Sequence, residues 1–433
     1  MKIALIQPNS PFLINERVFP NIGLTRVATQ LQADNHDVEI LDFSGKNPEE
    51  LKTFTNGYDL YGFSSTTPQF PYTMNLFNIL KRNNPNAQTV IGGPHVSAMY
   101  SLKNKGIDDV NIKDLDNFDT KFVGEGEGKG IEKMFEPGWQ DGGIVKNIDD
   151  ALIPDRDFID ITGYKYNLNG QPTTSMQTQR GCPHQCTFCS GRDIEMYNKV
   201  RMHSPERVVE ELDMLNDKYG FTSFMWYDDE INLNIDRLED LCNVLADKPY
   251  QHRGFVRNDN IVNHPESVEW MKEAGFIKLC AGVESGSDKI LKLINKRTTS
   301  EMNSDAREIV RKNGIHYESF LLMGHPDEDL DDISATMSWV QKNKPDDLDI
   351  NLITPYPGSK MYDDAKPSTK FDGYNWEYKG SFFNKPRYAT HDSFYKGKEG
   401  KGESDIRTNR ITNRTLVEIR DRADKFLREY IKK

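Results

Sequence analysis

Short apolar runs alternate with amphipathic helical stretches twice along this chain, and that alternation constrains its fold more than any other feature. A repeated strand-helix-strand pattern specifies a parallel sheet with crossover helices. In the first series the expected strands are Ile3–Ile6, Val38–Leu41, Leu60–Ser64, Thr89–Ile91 and Lys121–Val123, with helices such as Asn21–Leu31 and Tyr72–Arg82 between them. Units of this kind make a doubly wound α/β domain over residues 1–140, whose ligands belong beyond the carboxyl ends of the strands. The loops to watch are therefore 8–20, Ser64–Thr67, Gly92–His95 and Gly124–Glu127.

A second series follows. Its expected strands are Ser175–Gln179, Ser223–Tyr227, Gly254–Arg257, Ile277–Val283, Tyr317–Met323 and Leu348–Ile353, separated by helices that include Pro205–Tyr219, Leu238–Ala246, Pro265–Ala274, Ser300–Asn313 and Leu330–Asn343. These βα units are too few to close an eight-stranded barrel and suit a partial (β/α)6 barrel over residues 171–365, with its chemistry at the strand carboxyl ends. Residues 141–170 lack a sustained period and read as a linker. Residues 366–433 form a small C-terminal region, irregular and Gly/Lys-rich from Tyr374 to Gly402, then an amphipathic helix from Thr415 to Lys432. Its aromatics Tyr374, Trp376, Tyr378, Phe382 and Phe383 serve either as a stacking surface for a flat or saccharide substrate or as a lid.

Charge limits the partners. With 55 Lys and Arg against 67 Asp and Glu, the formal net charge of -12 disfavours a general binder of nucleic acid or of anionic membranes. The tail mixes Arg407, Arg410, Arg414 and Arg420 with Glu418 and Asp421, so nucleic acid is not an expected partner. No apolar run approaches the ~20 residues that cross a bilayer. The expectation is a soluble, cytoplasmic chain with a small-molecule substrate and no membrane partner.

Five cysteines, three of them between 182 and 189, are too few and too clustered for a disulfide framework. Cys182, Cys186 and Cys189 follow the first barrel strand and Gly181, and three thiolates on one loop hold three corners of an iron-sulfur cube with one iron left open. The alternative is a zinc site, for which His184 is the available fourth ligand. Cys242 and Cys280 sit in apolar patterns and read as core.

The CxxxCxxC spacing, with Phe188 just before the last cysteine, resembles the signature of radical S-adenosylmethionine (SAM) enzymes. The resemblance implies that Cys182, Cys186 and Cys189 ligate a 4Fe-4S cluster, that SAM chelates the open iron, and that Phe188 lines the adenine side. It further implies SAM contacts from Asp228 and Asp229, Arg257, Glu284 and Ser285, and Gly324, which end the second to fifth strands in turn. Each has a plainer reading: a helix cap for the aspartates, an ion pair for Arg257, and structural turns for the Gly282–Ser287 and Gly324–Pro326 segments. An external electron donor of the flavodoxin or ferredoxin type is implied as well.

The order of landmarks ahead of the barrel resembles a subgroup with an N-terminal cobalamin-binding-like domain, Rossmann-like and of the flavodoxin type, which includes anaerobic magnesium-protoporphyrin monomethyl ester cyclase and cobalamin-dependent radical SAM methyltransferases. By that resemblance Gly23, Ser64, Ser65, Gly92, Gly93, His95, Gly124 and Glu125 belong to the cobalamin rim. The D-x-H-x-x-G motif that supplies a cobalt-ligating histidine in other cobalamin proteins is missing: the closest string, Asp34–Glu39, has Glu where Gly is required. His95 either approaches the metal or caps a tight turn, and the domain either binds cobalamin or serves as a docking fold. The implied activity is reductive SAM cleavage and radical chemistry on an unactivated carbon, leading to cobalamin-dependent C-methylation. The alternatives are oxidation or cyclisation of the ester-cyclase type, or a non-catalytic cofactor-binding protein.

Overall fold

The computed structural model describes residues 1–390 and 404–432, which fold as two units. Residues 391–402, the end of the Gly/Lys-rich stretch, lie outside the described residues.

The first unit comprises Met1–Tyr166, Asp193–Arg201 and the described residues from Pro386 to Thr390. Its strands are β1 (Lys2–Gln7), β2 (Asp37–Asp42), β3 (Leu60–Ser64), β4 (Thr89–Gly92), β5 (Thr120–Val123) and β6 (Gly138–Asp141), in the order β2-β1-β3-β4-β5-β6 and all parallel. β1 lies between β2 and β3, so strand order reverses there and opens a crevice at the ends of β1 and β3. Apolar side chains on both faces of the central strands bury the sheet. Ile3, Leu5, Leu60 and Val90 pack against Leu24, Ala28 and Leu31 of the helix Ile22–Ala33. That helix starts at Asn21, whose side chain accepts the Leu24 N–H at 3.0 Å.

β6 is one strand more than the alternation gives. Its residues Gly-Trp-Gln-Asp are half-buried or exposed at the sheet edge, so no apolar run announces it. Much of segment 141–170 folds back on this unit: Tyr164 donates to Asp42 at 2.7 Å and the Asp155 N–H to Thr29 at 2.8 Å. The excursion 193–201 is fixed by the buried pair Arg201–Glu125 at 2.5 Å and by Lys105–Asp193 at 2.9 Å.

The second unit comprises Asn167–Arg192, Met202–Lys385 and the described residues 404–432. Beyond the edge strand β7 (Tyr166–Leu168), its sheet contains β8 (Gln171–Met176), and two-residue strands β9 (Gln179–Arg180) and β10 (Arg201–Met202) bracket the cysteine loop in sequence. The sheet continues with β11 (Ser223–Trp226), β12 (Gln251–Val256), β13 (Phe276–Glu284), β14 (His316–Met323) and β15 (Asp347–Leu352), in the order β15-β14-β13-β12-β11-β8-β7. The neighbours from β8 to β15 run parallel, which is the open half-barrel of six βα units. One face, with Phe224, Trp226, Val256, Leu279, Ala281, Val283, Leu321 and Ile350, is buried under the helices.

The tail carries more order than its composition suggests. β16 (Lys366–Phe371), β17 (Tyr374–Tyr378), β18 (Ser381–Phe383) and β19 (Ile406–Thr408) form an antiparallel sheet, followed by the helix Asn413–Ile431. The pattern is hard to see because the strands are short and their exposed faces carry cations on aromatic rings: Lys385 lies 4.0 Å from the Trp376 ring centroid and Arg407 3.6 Å from that of Phe371. Phe382 and Phe383 are fully buried. These aromatics are spent on packing within the sheet.

β19 ties the tail to the loop after β14, since the Thr408 hydroxyl donates to the Glu328 carbonyl at 2.9 Å. The Glu328 side chain accepts the Gly324 N–H at 2.6 Å and is fully buried, and burial pushes its pKa up to about 8 despite that bond. The folded state therefore holds a proton that the unfolded chain has lost above its ordinary value of 4.5, so stability from this group is present at low pH and lost as pH rises towards 8. Glu328→Gln keeps the acceptor and removes the titration. Its stability relative to wild type should rise by about 1–3 kcal/mol between pH 6 and 8, at roughly 1.4 kcal/mol per unit, and then level off; parallel thermal melts across this range check it.

Candidate functional site

The cysteine loop begins where β8 stops. After Met176 the backbone turns away from its neighbour, because the Asp228 carboxylate accepts the Thr178 N–H at 2.6 Å, the Gln179 N–H at 2.9 Å and the Thr178 hydroxyl at 2.5 Å. This is why the strand ends earlier than its apolar pattern suggests. Asp228 is fully buried and both its oxygens are occupied, so it braces the loop from the end of β11.

From Gly181, at φ +84°, the chain enters Cys182–Cys189. The loop is held along its length. The Arg192 guanidinium donates to the Cys182 carbonyl at 2.8 Å, the Cys189 N–H to the Cys186 carbonyl at 3.1 Å, and Asn295 to the Gln185 carbonyl at 2.9 Å. Its far end rests on the turn after β15, where the Gly191 N–H donates to Gly358 at 2.7 Å and the Ser190 hydroxyl to Pro357 at 2.7 Å. Phe188 packs against Ile290, Leu291 and Ile294, with its ring centroid 6.4 Å from that of His325.

All three cysteines are free. Burial pushes the Cys182 thiol up to about 12 and the Cys189 thiol up to about 11, while the Arg192 guanidinium opposes both shifts. Buried thiols of this kind become thiolates when a metal takes the place of the proton. Three soft sulfur donors on one braced loop, with cationic Arg192 at hand, fit an iron-sulfur cluster. The proposed fourth zinc ligand, His184, lies 3.1 Å from the buried Glu230 carboxylate, which in turn accepts from Asn260 at 2.9 Å. Cys182, His184 and Glu230 present donor atoms within 4.8 Å of one another, close enough to share one ion.

The other candidates on the barrel rim fall into two groups. Asp229 is exposed beside the loop. Arg257 binds Asp259 through two bonds of 3.0 and 2.8 Å and donates to the Lys296 carbonyl at 2.9 Å. Glu284 stands at φ +64°, a left-handed conformation that a non-glycine residue holds only when its surroundings compel it. Here the constraint is Lys296, whose ammonium reaches Glu284 at 2.8 Å with both side chains buried. Burial opposes the Lys296 charge, but Glu284 and the Cys186 sulfur outweigh it and hold the pKa above the ordinary lysine value. The pair lies over Gly282, where a Cβ would collide with Glu284 and come within 2.6 Å of the Lys296 ammonium. Ser285 and Gly324, by contrast, serve the backbone: the Ser285 hydroxyl accepts the Ser287 N–H at 3.1 Å, and Gly324, at φ +91°, makes the turn that Glu328 holds.

On the first unit, Gly23, Ser64, Ser65, Gly92, Gly93 and Gly124 are grouped at or next to the strand carboxyl ends. Gly93, at φ +98°, brings its backbone against that of Ser65, where a Cβ would sit 2.9 Å from the carbonyl. Glu125 is occupied by Arg201 and by the Val145 N–H at 2.7 Å. His95 lies under the rim: it is fully buried, stacked on Phe70 at 4.2 Å, with Nδ1 3.1 Å from the Thr67 hydroxyl and Nε2 without a partner among the described residues. On the loop after β1, buried Asn9 Oδ1 also lacks a partner among the described residues. An orphaned amide oxygen at the crevice, among Ser and Gln side chains, suits an uncharged, amide-bearing ligand such as a corrin.

Residues 176–340 match the Radical SAM superfamily and residues 16–117 the B12 binding domain. The chain carries a Radical SAM domain with a B12 binding domain before it. The cofactors these domains imply are a 4Fe-4S cluster with SAM, and cobalamin. An uncharacterized methyltransferase of Pyrococcus horikoshii is 28% identical over 407 residues, covering 87% of this chain and 85% of that protein. The anaerobic magnesium-protoporphyrin IX monomethyl ester cyclase of Rubrivivax gelatinosus is 23% identical over 354 residues, covering 73% of this chain and 61% of that protein. In fold the chain is similar to the cobalamin-dependent SAM radical enzyme OxsB with aqua-cobalamin and SAM bound, at TM-score 0.62 and 18% identity over 84% of this chain and 55% of OxsB.

The sequence marks neither Lys296 nor Arg192 as a site residue, and marks Glu230 only as part of the acidic run Tyr227–Glu230 at the end of the second barrel strand. For Lys296 the available signal was local: positive φ at Asn295 and Arg297 turns the chain on either side of it, and Asn is the commonest non-glycine residue in such turns. Lys296→Met should leave Glu284 buried without its counter-ion and cost about 3–5 kcal/mol in denaturant unfolding. Combining it with Glu284→Gln should recover more than half of that loss. Cys186→Ala should abolish the brown chromophore after anaerobic reconstitution, and a variant that keeps its full iron content would disprove the ligand assignment.

Proposed function

We propose that this radical SAM enzyme is a cobalamin-dependent C-methyltransferase acting on an unactivated carbon of a small-molecule substrate, with electrons from an external flavodoxin- or ferredoxin-type donor. The observation that carries the proposal is the braced loop of three free cysteines at the carboxyl end of the barrel, in a chain whose other domain is of the B12 binding type. When bound, the cofactors supply the electron, the hydrogen-abstracting radical and the methyl group.

The protein's own work is binding, orientation and exclusion of water. Cys182, Cys186 and Cys189 would hold the cluster. Arg257, Glu284 and Lys296 are buried, already ion-paired and fixed before any ligand arrives, so they offer preorganised polar groups at little reorganisation cost. Phe188 and the apolar residues behind it keep water from the same rim. On the first unit the Asn9 amide and the neutral Ser64–Ser65 edge would receive cobalamin without a histidine ligand, since His95 is enclosed.

The coverage of the Pyrococcus methyltransferase, 87% of this chain and 85% of that protein, supports methylation. The match to the ester cyclase keeps oxidation or cyclisation as the second reading. Anaerobic reconstitution of the full chain with iron, sulfide and hydroxocobalamin, followed by desalting, should leave about four irons and one cobalt per chain. Iron without cobalt would overturn the cobalamin assignment and with it the methyl-transfer mechanism. SAM labelled in its methyl group then separates the two readings, because a methyltransferase delivers the label to product and a cyclase does not.

A further inference from the structure

The helix Asp288–Leu293 ends at Ile294, and the chain turns through Asn295, Lys296 and Arg297 before the helix Ser300–Lys312. This turn grips the cysteine loop on both sides of Cys186. The Thr187 N–H donates to the Ile294 carbonyl at 3.0 Å, and the Asn295 side chain donates to the Gln185 carbonyl at 2.9 Å. Cys186 is thereby held against the segment that carries Lys296. The turn is itself fixed from several sides. The Asn295 and Lys296 N–H groups bond back to the Lys292 and Leu291 carbonyls at 3.1 and 3.0 Å, and the Arg257 guanidinium donates to the Lys296 carbonyl at 2.9 Å. Asn295, at φ +56°, and Arg297, at φ +62°, flank Lys296 in left-handed conformations, and Glu284, which meets its ammonium at 2.8 Å, stands at φ +64°. Such conformations persist only where the surroundings compel them, so the position of this lysine is set against a local cost.

The Lys296 ammonium is buried and acts electrostatically on the sulfurs of Cys186 and Cys189. Its neighbour Arg257 is committed to Asp259 at 2.8 Å. A loaded cluster brings thiolate charge to this place, and its one-electron reduction adds one more negative charge. Water screens a buried charge far less than an exposed one, so Lys296 and Glu284 are both felt there. The potential of an iron-sulfur cluster responds to the net charge around it and to its exposure.

We propose that Lys296 is a positioning residue of the cluster: held by Glu284 against Cys186, its fixed positive charge favours the reduced state, and the Glu284 carboxylate moderates that effect. This role rests on the reading of Cys182, Cys186 and Cys189 as the cluster ligands and adds to it the pair that sets the potential. Lysine and glutamate are then opposing controls on one equilibrium, which a purely structural ion pair is not.

The test is a redox titration, followed by low-temperature electron paramagnetic resonance, of the full chain reconstituted anaerobically with iron and sulfide and without SAM or cobalamin. Dithionite supplies the single electron that each cluster takes up. Lys296→Met should disfavour the reduced cluster about tenfold, which is 59 mV towards more negative potential for a one-electron couple. Glu284→Gln keeps the shape and the acceptor but removes the negative charge, and should shift the potential the opposite way. The double variant should return to within about threefold of wild type, because the net charge is restored. Lys292→Met removes an exposed cation from the preceding helix and should leave the potential unchanged. Unmoved potentials in Lys296→Met and Glu284→Gln, shifts of the same sign, or an equal shift in Lys292→Met would overturn the proposal. Should Lys296→Met lose its iron, Glu284→Gln and the double variant decide: a rise in the first that the second reverses supports the charge role, and no rise overturns it. Bound iron and thermal melts are measured on every sample. A wild-type protein that retains no iron defeats the ligand assignment, whereas a loaded protein whose potential ignores both substitutions defeats the role of Lys296 alone.

Discussion

A single buried carboxylate determines where the reactive loop of this protein begins. Asp228, at the end of β11, takes two backbone N–H groups and a hydroxyl from Thr178 and Gln179. A charged acceptor in a dry setting makes such bonds strong, and leaving the carboxylate unmet would be costly. The first barrel strand is thereby ended, and the chain is launched into Cys182–Cys189. The other braces on that loop, Arg192 on the Cys182 carbonyl and Gly191 on Gly358, secure a loop whose starting direction is already fixed.

The same economy governs the rest of the barrel rim. Its charged groups arrive already paired, Glu284 with Lys296 and Arg257 with Asp259. Preorganised pairs lose less on ligand binding than mobile ones. The strained backbone at Glu284 and the missing side chain at Gly282 belong to one device, since the carboxylate folds back into the space a side chain would fill. On the first unit the opposite chemistry holds. The strand ends there carry the uncharged Ser64 and Asn9, Ser65 is buried against Thr66 and Thr73, and the nearby ionisable groups are withdrawn, His95 into a stack on Phe70 and Glu125 into a buried pair with Arg201.

Much of this was legible in the chain. All five strands expected in the first series and all six in the second are present, most within two residues at each end, because parallel strands buried on both faces leave unbroken apolar runs. What failed to show was edge structure. β6, β16 and β17 are half-exposed and poor in alternation, β18 and β19 are only three residues long, and all are held by pairing partners that only the folded chain brings near. In the site, the cysteine spacing was explicit and Glu230 stood within the acidic run Tyr227–Glu230. Lys296 was invisible, since it matters only through Glu284 twelve positions away, and so was the contact of Glu230 with His184, forty-six positions away.

By itself the sequence determined the two βα series, the cysteine triad and the Gly-rich strand ends, because period, spacing and turn chemistry are local properties of a chain. Only the tertiary structure decided which candidates are committed elsewhere and which remain at a rim. Asp228 became a brace, Glu125 an anchor for Arg201, and His95 a core residue. The reason is physical: a side chain's role follows from its partners and its solvent, and both are set by packing between residues far apart along the chain.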